Sequence, residues 1–137
     1  MAVHFEDNSM QVRAALDAAC IAFLNEAGGE LEAQTKRNNR VDTGQTKNSW
    51  RYVVDESKGE CTVGSPLENA IWEEFGTGEF ALNNNGRRTK WKYKDVHGNW
   101  FTTTGKTPNR PFQRAFDACK NAIIRRAEQI LNERLGN

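Results

Sequence analysis

Histidine is nearly missing from this chain: His4 and His97 are the only two. Neither has a partner at metal-ligand spacing, so no histidine-based metal site is read here. Cysteine is scarce and odd in number. Cys20, Cys61 and Cys119 lie far apart, which excludes both a disulfide framework and a CxxC metal pair. They are expected to be reduced, small core residues. The serines lie in no nucleophile elbow. Gly76-Thr77-Gly78 lacks the third glycine and the preceding strand of a dinucleotide loop, and the Lys-Ser/Thr of a phosphate loop. Glu73 and Glu74 are adjacent, so on a helix their side chains diverge and form no carboxylate dyad. No hydrophobic run approaches a membrane span, and the chain opens on no basic-then-apolar leader. The expectation is a non-enzymatic protein with no cofactor, no metal and no membrane partner, made in a cytoplasm.

What is present suits one globular domain over residues 1–137, long enough to bury a core without staples. The hydrophobic fraction is 37% and the charged fraction 27%, so the domain is rather polar. The net charge of +1 conceals a segregation. Residues 1–31 sum to −4, 32–51 to +3, 52–80 to −6, 86–110 to +6 and 111–137 to +2. Such blocks can give two opposed faces suited to head-to-tail self-association, or can mix in three dimensions and cancel.

Residues 9–36 read as one helix, weakened at Gly28-Gly29, with an apolar stripe of Val12, Leu16, Ala19, Phe23 and Ala27. Asn8 or Ser9 is its expected cap. Residues 46–55 alternate, with Trp50, Tyr52 and Val54 on one side, and pair with residues 60–64 as a hairpin with Cys61 and Val63 inward. Ser65-Pro66 is read as the start of a short helix. In it, Ala70, Ile71, Trp72 and Phe75 supply apolar surface and Glu73 and Glu74 sit between them. Trp72, Phe75 and Phe112 are expected in the core, with Glu73 and Glu74 in a solvated or interface patch. Gly76 ends that helix with a positive φ. A polar excursion over residues 79–107 follows, with a second hairpin from residues 89–95 and 99–104. The chain returns at Arg110-Pro111-Phe112 into a last helix that runs to about Leu135 and stops at Gly136. The predicted fold is α+β: two long helices packed on a small antiparallel sheet, with a short central helix and a protruding β-hairpin that must pack on something, be ordered by a partner or be mobile.

The second hairpin holds Arg87, Arg88, Lys90, Lys92 and Lys94 interleaved with Trp91, Tyr93 and Trp100. The expectation places lysines on one face and rings on the other. Cations and rings together suit a nucleic-acid surface, although opposite faces make stacking and phosphate contact awkward at once. Alternatively the lysines are solvated or meet acidic residues of another subunit. Lining a channel through which DNA passes needs only the charge. Glu73, Glu74, Glu79, Arg87, Arg88, Lys90, Lys92 and Lys94 are the candidate contacts with a second copy or a neighbour.

The order of several motifs resembles the head–tail joining (neck, tail-completion or phage morphogenesis) proteins of lambda-like long-tailed bacteriophages. They are Val41-Asp42-Thr43-Gly44, Val63-Gly64, Glu74-Phe75-Gly76-Thr77-Gly78 and Arg110-Pro111-Phe112. Thr46 stands where family members tend to have an apolar residue, and Gln113 where many have leucine. The resemblance covers most of the chain and implies a structural role for Asp42, Thr43, Gly44, Gly64, Phe75, Gly76, Thr77, Gly78, Pro111 and Phe112. It implies an α+β subunit of a six- or twelve-fold ring at the head–tail junction of the virion, touching head-connector and tail proteins. A tail terminator, a sequence-independent nucleic-acid-binding module and a soluble morphogenesis factor are the alternatives.

Overall fold

A computed structural model of the chain describes residues 2–41 and 44–134. Of the motif residues, Asp42 and Thr43 lie outside the described residues, as do Leu135 and Gly136 at the expected end of the last helix.

The first helix, α1 (Ser9–Asn38), is one element of 30 residues. Its expected cap is corrected: Asn8 makes no side-chain cap bond. Instead the Ser9 N–H donates to Asp7 Oδ1 at 2.9 Å. That backbone bond, helped by the Ser9 side chain, holds the Asp7 carboxyl below its usual range. Gly28-Gly29 does not break the helix, and packing explains Gly28. A Cβ there would stand 2.6 Å from Cys61 Sγ and 2.7 Å from the Tyr52 ring. Only a residue without a side chain lets the hairpin seat this close.

That hairpin joins β1 (Arg51–Asp55) to β2 (Glu60–Gly64), antiparallel, from Arg51↔Gly64 to Asp55↔Glu60. Tyr52 and Val54 share the half-buried face with Cys61 and Val63, as the alternation predicts. The strand is shorter than predicted. Residues 45–49 form a helical turn, α2 (Gln45–Ser49). Gly44 enters it at φ 85°, its carbonyl accepts from the Asn48 N–H at 2.9 Å, and Ser49 Oγ donates to Thr46 O at 2.6 Å. Local side-chain bonding of this kind competes with extended pairing.

The short helix α3 (Glu68–Phe75) also starts later than predicted. Ser65 Oγ accepts from the Leu67 N–H and lies 2.6 Å from Ser49 Oγ, so Ser65 ties the hairpin exit to α2 rather than capping α3. A 3-10 turn at Gly78–Phe80 follows, then β3 (Trp91–Lys94) and β4 (Trp100–Thr103), which form a second sheet of their own.

The last helix, α4 (Pro111–Arg134), runs antiparallel to α1. Asn38 Nδ2 donates to Pro111 O at 3.1 Å, and far along the pair Arg126 Nε meets Glu26 Oε1 at 3.1 Å. The architecture is α+β, with α1 packed on both α4 and the first hairpin. Trp50 joins the three: it is buried, its ring stacks on Phe112 at 6.1 Å and 9°, and Nε1 donates to Asn39 Oδ1 at 3.0 Å. Among the described residues the buried apolar side chains are Ala19, Ala27, Trp50, Ala70, Pro111 and Ala115. Cys20 is exposed rather than in the core, because it lies beside the Ala19 stripe and not on it; Cys61 and Cys119 are half-buried free thiols. Burial pushes both of those thiols up, with Glu30 adding to the effect at Cys119.

Candidate functional site

Two regions contain the candidate residues. The first is α3 with the returning chain. Its orientation reverses the expectation: Glu73 and Glu74 are 2% and 6% exposed, whereas Trp72 and Phe75 are 45% and 41% exposed. The acids point in because cations and helix N–H groups wait for them there.

Glu73 Oε1 accepts from Arg40 Nε at 2.8 Å, and Oε2 meets Lys106 Nζ at 2.6 Å. Arg40 Nη2 donates in turn to Thr107 O at 2.7 Å. The main-chain carbonyl of Glu73 accepts from the Asn109 N–H at 2.8 Å. Burial is the largest single influence on the Glu73 carboxyl and pushes it up. The hydrogen bonds and charges of Lys106 and Arg40 together outweigh it, so the group lies below its ordinary value.

Glu74 acts on the last helix. Its Oε2 accepts from the Phe112 N–H at 2.9 Å, its Oε1 from the Gln113 N–H at 3.0 Å, and Arg110 Nε stands 3.3 Å from Oε1. These are orphan donors of the first turn of α4, so a carboxylate 38 residues upstream caps the helix and sits at its positive end. Pro111 occupies the first helical position, where its missing N–H is no loss. Arg110, just before it, holds φ 56° and places its guanidinium 5.4 Å from the Phe75 ring centre.

Below this node the outgoing and returning chains cross. The Thr77 N–H donates to Lys106 O at 2.9 Å, the Lys106 N–H to Thr77 Oγ1 at 2.8 Å, and the Glu79 N–H to Thr104 O at 3.0 Å. Gly76 ends α3 at φ 75°, as predicted. At the crossing itself, a Cβ on Gly78 would collide with Thr104 O, and one on Gly105 with Thr77 O. The chain thus returns at residues 104–106, earlier than Arg110, and the base of the excursion is clamped by main chain. Glu79 stays exposed and accepts from Thr104 Oγ1 at 2.9 Å.

The second region is the hairpin of β3 and β4. Its register is Trp91↔Thr103, Lys92↔Thr102, Tyr93↔Phe101 and Lys94↔Trp100. Tyr93 stacks on Phe101 at 5.7 Å, and the Arg87 guanidinium lies 5.7 Å from the Trp91 ring centre. Trp100 does not join them: it faces the same way as Lys92 and Lys94, and it is 67% exposed. The separation of lysines from rings is therefore corrected at this position. Grouping by residue type put Trp100 with Trp91 and Tyr93, but pairing across an odd-length turn keeps even-numbered residues with even ones. Arg87, Arg88, Lys90, Lys92 and Lys94 are all exposed and none forms an ion pair with a described carboxylate.

The eight candidate contact residues thus divide. Glu73 and Glu74 are engaged within the chain and are not a free acidic patch, while the five cations keep their charge for something else. Sequence reasoning missed Arg40, Lys106 and Arg110 as partners of the two acids. Nothing local marks pairs 33 residues or more apart. Among the described residues, no helix is long and apolar enough to cross a membrane. No protein-family model, curated protein or solved structure matches the chain.

Proposed function

We propose that this chain is a structural virion-assembly protein of a long-tailed bacteriophage. In this reading it is a head–tail connector (neck or tail-completion) subunit that forms a six- or twelve-fold ring around the DNA channel. It bridges the head connector to the tail, is assembled in the host cytoplasm, works in the virion and catalyses no reaction. The motif order in the sequence supports the family.

The observation that carries an assembly role is the inverted α3. A helix that turns its acids inward presents Ile71, Trp72 and Phe75 to solvent, and Phe80 and Leu82 beyond it are exposed too. Exposed apolar side chains gathered along one element suit burial against another subunit. Arg87, Arg88 and Lys90, exposed and without an ion-pair partner among the described residues, supply charge for the same purpose.

The test is the mass in solution by light scattering across concentration and salt. A discrete six- or twelve-subunit species that dissociates with salt supports the ring. A monomer at every concentration, with no copy of the chain in purified virions, rules the reading out.

A further inference from the structure

The correction at Trp100 changes what the second hairpin offers. One face of this ribbon carries Lys92, Lys94, Trp100 and Thr102 together. Lys94 lies directly across from Trp100, so their Cβ atoms are about 5 Å apart. Lys92 is one pleat away, about 7 Å along the same strand. Lys92, Trp100, Phe101 and Thr102 line a shallow open depression. The indole is exposed to solvent rather than packed, and no carboxylate of the described chain neutralises either lysine.

We propose that this face binds single-stranded nucleic acid without reading its sequence. An exposed ring takes an unpaired base by stacking, and the two ammonium groups spaced along the neighbouring strand take successive phosphates of the same backbone. A duplex keeps its bases stacked inside and offers the ring nothing, so single strands are preferred. An acidic protein surface would satisfy the lysines but leave the indole without a flat partner. The inference rests on the hairpin alone and stands whether or not the chain forms a connector ring.

The test uses the full chain with a fluorescein-labelled 20-nucleotide oligo-dT, the matching duplex, and polyglutamate of similar charge. The oligonucleotide binds more tightly than either of the other two and quenches tryptophan fluorescence. Trp100→Ala weakens oligo-dT binding roughly 5- to 150-fold, the range for losing one stacked base, while Trp100→Phe restores most of it. Lys92→Ala with Lys94→Ala lowers the slope of log affinity against log salt by about 1.4, the value for two phosphates on a single strand. Lys58→Ala, in the turn of the other hairpin, changes neither quantity. Circular dichroism confirms that each variant is folded. No binding at 50 mM salt overturns the proposal, as do equal affinities for single strand and duplex. Indifference to Trp100→Ala in a folded variant also overturns it, and polyglutamate binding as tightly as oligo-dT points to an acidic protein partner instead.

Discussion

The α3 node and the second hairpin are both rich in charge, and they use it in opposite ways. At the node each charge meets its opposite within the chain: Glu73 has Arg40 and Lys106, Glu74 has Arg110 and two helix N–H groups. On the hairpin five cations stand in eight residues with no acid among them. The difference teaches that sequence charge alone does not mark a contact surface. Charges that tie distant segments together are structural, and those left unpaired on a projecting ribbon are available to a partner. The node holds the ends of the excursion so that the ribbon can project.

Four variants break or sharpen this contrast. The largest effect falls on the crossing beneath the node. Gly78→Ala puts a methyl group against Thr104 O at a positive φ, and destabilises the chain by about 3 kcal/mol or more in urea unfolding. A loss below 1 kcal/mol would mean that the crossing is loose. Next comes Glu73→Gln. Removing one partner of a buried ion pair costs about 3–5 kcal/mol, but Arg40 and Lys106 reach water, so about 2–3 kcal/mol is expected.

The Glu73 effect also has a pH signature. A carboxyl held below its ordinary value of 4.5 stabilises the fold above that pH, and the contribution is lost as pH falls through the lower folded-state value. The gap between the native chain and Glu73→Gln therefore closes as pH falls below about 4.5 and through the lower folded-state value. A gap that stays constant over that range would mean that charge is not what Glu73 contributes. Smaller again is Glu74→Ala, which strips the cap from α4 and costs about 1–2 kcal/mol. It also speeds amide exchange at Phe112 and Gln113, and unchanged exchange there would remove Glu74 from its role. Smallest is Lys92→Gln with Lys94→Gln, which shifts stability by no more than about 0.5 kcal/mol. A larger loss would show that these lysines have a partner within the chain and would erase the contrast.

Much of the fold was legible in the sequence because it rests on short-range periodicity. The stripe at three- and four-residue steps placed α1, Pro111 marked the start of α4, alternation around Tyr52 and Val54 placed the first hairpin and its inward face, and Gly76 marked the end of α3. The site was legible only in part. The inward turn of Glu73 and Glu74 depends on Arg40, Lys106 and Arg110, whose approach is set by tertiary folding and leaves no local pattern. Trp72 and Phe75 were expected inside because apolar residues usually are, and α3 reverses that. The side of Trp100 was open to derivation: turn parity fixes it, where residue type misleads.

The main-chain crossing at Thr77, Glu79, Thr104 and Lys106 has one more consequence. It closes a loop whose two ends are fixed to each other by two backbone bonds and the Thr77 hydroxyl, with Gly86 packed against Gly78 from inside the loop. Lengthening the segment inside such a closure adds only about 0.6 kcal/mol per doubling of its length. The ribbon is thus an exchangeable module: a hairpin of another length or another surface chemistry can be grafted between residues 87 and 102 while the helical body keeps its packing.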